Sequence, residues 1–202
     1  ISHLLDLRKR NGKVRHCHGD LHLANIVLID GKPILFDAIE FDDALATIDV
    51  IYDLSFLIMD LAFQGLVVEA NVLLNRYITL SLDFEGLAAL PLFLSMRSGI
   101  RAHVAVLNKD KVKAKNYMRF ALKCLKPTSP KLVAIGGLSG SGKSSLARII
   151  SPNLTPLPGA VLLRSDIIRK QLSGIDQYAK LTEQAYSADI TRKTYDEIYK
   201  RA

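Results

Sequence analysis

Two stretches of this sequence hold residues whose types and spacing could do chemistry. The first to read is KLVAIGGLSGSGKSSLAR, residues 131–148, in which Gly137, Gly142, Lys143 and Ser144 satisfy G-x-x-x-x-G-K-[ST]. A chain of phosphates needs backbone N–H donors turned inward. Glycines at 137, 140 and 142 lack the Cβ atoms that would obstruct so close a wrap. The spacing predicts that Gly137, Leu138, Ser139, Gly140, Ser141, Gly142, Lys143, Ser144 and Ser145 hold the phosphates of ATP. Lys143 would reach the β- and γ-phosphates and the Ser144 hydroxyl would bind Mg²⁺. A flexible Gly/Ser tether is the competing interpretation, but a tether has no reason to lie between an apolar strand and a helix.

The second stretch is HGDLHLAN, residues 18–25, followed by IVLIDGKPILFD, in which Asp30-Gly31 is a strong hairpin signal. With the turn centred near Gly31, Asn25 and Asp37 are equally far from it and become cross-strand neighbours beside Asp20. Such hard oxygen ligands suit Mg²⁺. The spacing Asp20-x-x-x-x-Asn25 is that of a kinase catalytic loop, with Asp37 where the second metal-binding aspartate follows a strand. His18 is expected to orient the loop by hydrogen bonding, and His22 to be structural or near the substrate. A zinc-dependent hydrolase is the alternative, because His16, His18, Asp20 and His22 alternate and would share one face of an extended segment. The pattern lies one residue away from the dinuclear H-x-H-x-D-H signature, and His103 is the only later histidine.

H-G-D-L-H-x-x-N, a hairpin and then F-D-x-I-E resembles the aminoglycoside phosphotransferase family, small-molecule kinases with a protein-kinase-like fold. The resemblance implies that Asp20 accepts the proton of a substrate hydroxyl, that Asn25 and Asp37 hold the metal with help from Glu40, and that Asp53 braces the loop by accepting backbone hydrogen bonds. The family's nucleotide-gripping small lobe would precede His18, where residues 1–17 are too few to form it.

Beyond the glycine loop, AVLLRSD over residues 160–166 reads as a second strand with Asp166 at its carboxyl end, where open α/β sheets place ligands. Arg169 follows three residues later on the same helical face. This R-S-D-x-x-R is similar to P-loop kinases of small molecules or polynucleotide ends. That likeness implies that Asp166 activates the acceptor hydroxyl and that Arg169 holds the acceptor; a simple helix cap is the alternative for Asp166. In tandem, the two halves resemble bacterial bifunctional proteins joining an aminoglycoside phosphotransferase-like part to a P-loop ATP-binding part.

The expected fold class is α/β, with an α+β first part. Residues 1–126 would be a helical kinase-like C-lobe carrying the catalytic-loop β-hairpin, 127–130 a Pro-rich linker, and 131–202 the start of a parallel P-loop α/β sheet, truncated. The stretch after Asp42-Asp43 reads as a helix burying Ile48, Ile51, Tyr52, Ser55, Phe56 and Met59. Further helices fill residues 66–126, with Arg97, Arg101 and the lysines of 109–115 on solvated faces. Residues 132–135 and 160–164 would be parallel strands with an exposed edge. The chain opens at Ile1 and closes within a helical pattern, which reads as an internal piece of a longer protein.

Composition sets the outer limits. The 202 residues are 49% hydrophobic, enough to bury a core. The net charge of +7 gathers in residues 8–15 and 101–126 without a nucleic-acid motif, which argues for phosphorylated ligands and against nucleic acid. Two cysteines without a C-x-x-C pair point to a reducing cytoplasm. The longest apolar stretch, residues 48–68, is interrupted by Asp49, Asp53 and Asp60 and is expected to be buried rather than to span a membrane. The implied partners are a nucleotide and a hydroxyl-bearing small molecule. A module that binds ATP without turnover is a further alternative.

Overall fold

The computed structural model describes residues 1–202 apart from Ser139 and Gln177. The chain begins with α1 (Ser2–Arg10), whose last turn carries Arg8, Lys9 and Arg10 where a helix C-terminus favours cations. Next come β1 (Val14–His16), a 3₁₀ turn at Leu23–Asn25, and the hairpin of β2 (Ile26–Ile29) and β3 (Lys32–Leu35). After α2 (Asp43–Ala46), β4 (Thr47–Asp49) pairs antiparallel with β1, Val14 opposite Asp49 and His16 opposite Thr47.

The hairpin forms where expected, but its register is one residue tighter. Asp30 and Gly31 have φ of 52° and 74° and make a two-residue turn, the left-handed geometry that matches strand twist. Ile29 then pairs with Lys32 and Ile26 with Leu35. Asn25 is therefore followed across the ladder by Phe36, whose N–H donates to the Asn25 carbonyl at 3.1 Å, and not by Asp37.

Residues 44–65 do not run as one helix either. The β-branched pair Thr47-Ile48 extends as β4, and the Asp49 carboxylate caps α3 (Val50–Phe63) by accepting from the Ile51 N–H at 2.9 Å. With α4 (Val67–Ser81), α5 (Leu90–Leu107) and α6 (Lys111–Cys124), α3 encloses a core that includes Ile51, Phe56, Met59, Leu74, Phe93, Leu94 and Tyr117. Pro91 sits in the first turn of α5, where its missing N–H costs nothing.

Two cations expected at the surface are buried. Arg8 is fully enclosed and bonds Asp49 at 2.7 and 2.8 Å and Asp83 at 2.6 and 2.9 Å, tying α1, the start of α3 and the turn after α4 together. Arg97 lies over the Tyr52 and Phe56 rings, 3.9 and 4.7 Å from their centroids.

In the second half, residues 125–138 form no helix or strand; then come α7 (Lys143–Ile150), α8 (Ser165–Leu172) and α9 (Ala188–Arg201). The two parallel strands expected at 132–135 and 160–164 are not formed among the described residues. A strand exists only through a ladder partner, and Leu132 remains 76% exposed. The backbone at 160–162 is bonded instead to a side chain of the first half. Asn75 on α4 donates to the Ala160 carbonyl at 3.2 Å and accepts from the Leu162 N–H at 2.7 Å, as a neighbouring strand would. Asn71, one turn earlier, donates to the same carbonyl at 3.1 Å and accepts from the Ser151 hydroxyl at 2.8 Å. The protein is thus mixed α/β but mostly helical, with two small antiparallel sheets among the described residues. No helix is long and apolar enough to cross a membrane among them.

Candidate functional site

The loop between β1 and β2 is held from below by the carboxylates of α3. Asp53, buried, accepts from the backbone N–H of His18 at 3.1 Å and of Gly19 at 2.9 Å. Two turns further along the helix, Asp60 accepts from the Leu23 N–H at 3.0 Å. Gly19 has φ of 82°, and a Cβ there would come within 2.8 Å of the Ile39 side chain, so only glycine lets the loop lie this close. His18 is bonded through Nε2 to the Phe36 carbonyl at 2.9 Å, which fastens the loop to the end of the hairpin.

The polar groups on this frame are Asp20 and Asn25. The buried Asn25 amide donates through Nδ2 to the Asp20 carbonyl at 3.0 Å and to Asp20 Oδ2 at 3.2 Å. Its amide oxygen and the Asp20 carboxylate remain as hard acceptors. His22 is buried edge-on to Phe56, with Nε2 3.4 Å from Asp20 Oδ2. Asp37 and Glu40 are exposed, and Asp37 takes a left-handed φ of 60° just past β3. No hydrogen bond among the described residues joins Asp37 to Asp20 or Asn25. In the ladder Asn25 faces Phe36, the residue next to Asp37.

The zinc alternative fails on geometry. β1 ends at His16, so the alternation through His22 is lost. His16 points its Nε2 at Asp43 from 3.6 Å while His18 and His22 serve Phe36 and Asp20. Among the described residues no three His, Cys, Asp or Glu side chains are placed to share a metal.

The glycine loop curves around its own lysine. Lys143 Nζ donates to the Gly137 carbonyl at 2.8 Å and also to that of Leu138. Gly137, Gly140 and Gly142 have φ of 150°, 77° and 82°, and a Cβ on Gly137 would sit 2.9 Å from Ser141 Oγ. The first intrahelical bond of α7 runs from the Leu146 N–H to the Gly142 carbonyl at 3.0 Å. The amides of Lys143, Ser144 and Ser145 therefore have no intrahelical acceptor, the condition that makes a helix N-terminus an anion site. Ser144 is half-buried in the first turn, Leu138 and Ser145 are exposed, and Ser139 lies outside the described residues. A cradle of this kind fits a polyphosphate with Mg²⁺ on the serine hydroxyl.

Asp166 sits in the first turn of α8, with its side chain 45% exposed and 3.4 Å from Arg164 Nη2. It makes no cap, since the helix is preceded by Arg164 without a side-chain capping bond. Arg169, expected to hold an acceptor, is instead buried and committed to packing. Its Nη1 donates to the Ala185 carbonyl at 2.7 Å and to Thr191 Oγ1 at 3.0 Å, and its guanidinium lies over the Tyr186 ring. A helix face alone could not show that α9 would claim this group.

Two supporting residues escaped the sequence reading. Asp60 follows Asp53 by seven positions, the same face two turns on, and that spacing was a usable signal. Arg97 lies beneath the loop, its Nη2 3.8 Å from Asp53 Oδ1. Burial lowers its pKa, and the electrostatic pull of Tyr52, Asp53 and Asp20 opposes that shift.

Comparison with known proteins adds to this geometry. Uncharacterized proteins of Mycobacterium bovis and Mycobacterium tuberculosis are 32% identical over 171 residues, covering 82% of this chain and 34% of theirs. The chain spans about a third of the length of the curated relatives it matches. No solved structure matches. Residues 132–202 match the AAA domain model, a P-loop type of nucleotide-binding, kinase-like domain, and the glycine loop lies within the matched stretch.

Proposed function

We propose that this chain belongs to an ATP-dependent phosphotransferase that moves the γ-phosphate of ATP to a hydroxyl of a small molecule. The carrying observation is the cradle at 137–145, where three α7 amides lack intrahelical acceptors and Lys143 is already folded over the loop. ATP entering the cradle would exchange the Lys143 ammonium's carbonyl contacts for phosphate oxygens, a stronger charge-assisted bond. Mg²⁺, when bound, would offset phosphate charge, held by Ser144 here and by Asn25 and Asp37 in the other loop.

In this reading residues 1–126 act as a kinase-like C-lobe and 131–202 as a P-loop module, joined by 127–130. Asp20 would take the proton of an acceptor hydroxyl, with Asp53 and Asp60 keeping its loop in place through three backbone bonds. Asp166 is the corresponding carboxylate of the second module. The exposed, unjoined Asp37 favours a second reading for the first module, in which it supports nucleotide binding without turnover.

Titration calorimetry with Mg·ATP tests the main reading. Binding is expected, and Lys143→Ala should weaken it by about tenfold or more. Equal binding by both proteins would remove the nucleotide site from this loop. ADP production that appears only with a hydroxyl compound, and is lost in Asp20→Asn or Asp166→Asn, would separate transfer from sensing.

A further inference from the structure

The outer side of α6 carries charge and apolar surface that the described residues leave unanswered. Between residues 101 and 131 the only acidic residue is Asp110. Its carboxylate is already committed to capping α6, accepting from the Lys113 N–H at 2.9 Å. Lys111, Lys113, Lys115, Arg119, Lys123 and Lys126 are exposed, and none of them is in an ion pair among the described residues. The helix turns Ala114, Tyr117, Ala121 and Cys124 inward, a row at i, i+3, i+7 and i+10. That row fixes what faces out. Met118, Leu122 and Leu125, at i, i+4 and i+7, form an outer apolar row that is 50%, 60% and 50% exposed. Lys115, Arg119 and Lys123, at i, i+4 and i+8, form a basic row beside it, continued by Lys126 just past the helix end. Single exposed leucines are ordinary on a protein surface; a row of them alongside a row of unpaired cations marks a place of contact.

We infer that this face of α6 is a docking surface for an anionic membrane, on which the helix lies flat. The two rows together select the occupant. The basic row is drawn to acidic lipid headgroups, and the apolar row beside it gains by leaving water for the boundary of the acyl chains. Nucleic acid would satisfy only the first row. Tyr117 is buried and Phe120 half-buried, so α6 presents no ring for a base to stack on, and aliphatic side chains gain nothing from a phosphate backbone. A second copy of the chain would satisfy only the other, because a two-fold contact through α6 sets one basic row against another. Lying on a membrane needs no helix long enough to cross it. The inference goes beyond the phosphotransferase reading and does not depend on it.

The test is co-sedimentation of the full chain with phosphatidylcholine vesicles, pure or containing about one-third phosphatidylserine. Binding is expected only to the anionic vesicles, and Lys115→Gln combined with Arg119→Gln should weaken it about tenfold or more. Met118→Ser combined with Leu122→Ser, both at exposed positions, should weaken it about tenfold and abolish what binding survives at about 0.5 M salt. Lys9→Gln combined with Arg10→Gln removes the same charge from the exposed end of α1 and should leave binding unchanged. The chain has no tryptophan, so Leu122→Trp is a lone reporter whose emission should shift to the blue on anionic vesicles. Equal binding to neutral vesicles, equal binding by the parent and both α6 variants, or an equal loss in the α1 variant overturns the assignment. So does an unshifted emission from Trp at 122. Tighter binding of a single-stranded oligonucleotide than of anionic vesicles would assign the basic row to nucleic acid and overturn it as well; a dimer in sedimentation that Met118→Ser with Leu122→Ser dissociates would do the same in favour of a second copy.

Discussion

The two halves of this chain hold their loops by different means. In the first, the 18–25 loop lies on a helical core and is bonded to two buried aspartates of α3, so its backbone is set before any ligand arrives. In the second, the glycine loop folds over its own lysine, and α7 buries none of its residues. The first half has its own core, whereas Leu157 and Val161 are the second half's partly buried contributions to it. A loop braced by side-chain carboxylates needs only one helix beneath it; a phosphate cradle at a strand end needs a sheet behind it, and here Asn75 takes the place of a strand.

That contrast can be broken from the side of the core. Arg8→Met should cost about 3–5 kcal/mol in urea unfolding, since it leaves Asp49 and Asp83 without their buried partner. A loss under about 1 kcal/mol would mean that the first half does not depend on this frame. The same group predicts a pH effect. Burial alone would raise the Asp83 pKa, but hydrogen bonds from Arg8 and Tyr77 and the charges of Arg8 and Lys13 bring it below its ordinary value. The unfolded chain then binds the proton more tightly, so this stabilisation is present above about pH 4 and is lost as pH falls through the lowered value. Melting temperatures between pH 6 and pH 2.5 should show that acid step in the parent and a reduced one in Arg8→Met.

Asp53→Ala should cost about 2–4 kcal/mol, because two backbone donors lose their acceptor and the buried Arg97 loses the carboxylate 3.8 Å from its Nη2. Hydrogen exchange at His18 and Gly19 is the direct readout, and protection equal to the parent's would show that the loop is held by something else. Asn75→Leu should cost about 1–3 kcal/mol by leaving the Leu162 N–H without its acceptor and removing one of the two amide donors to the Ala160 carbonyl. Faster exchange confined to residues 151–164 would sharpen the comparison, while an effect spread through α3 and α5 would contradict it. Smallest of all, Lys143→Ala should leave folding within about 0.5 kcal/mol, since its bonds are exposed and local to the loop. A large loss of stability there would make the lysine a structural pin.

What was legible in the sequence was what short-range physics decides. Asp30-Gly31 specifies a tight turn because both positions need left-handed backbone, and the glycines at 137, 140 and 142 mark a loop because a side chain would strain it. Helix breaks at prolines and the oxygen-rich run from Asp20 to Asn25 are local in the same way. The exact register was not, since one residue more or less in a turn changes no composition but puts Phe36 rather than Asp37 opposite Asn25.

The fates of the charged residues belonged to the tertiary structure. Arg8, Arg97 and Arg169 look like solvent-facing or ligand-facing cations in a linear chain, and each is buried because a partner distant in sequence receives it: Asp83, the Tyr52 and Phe56 rings, and the Ala185 carbonyl. Backbone preference is settled by neighbours in the chain; burial and charge pairing are settled by neighbours in space, which no local pattern specifies.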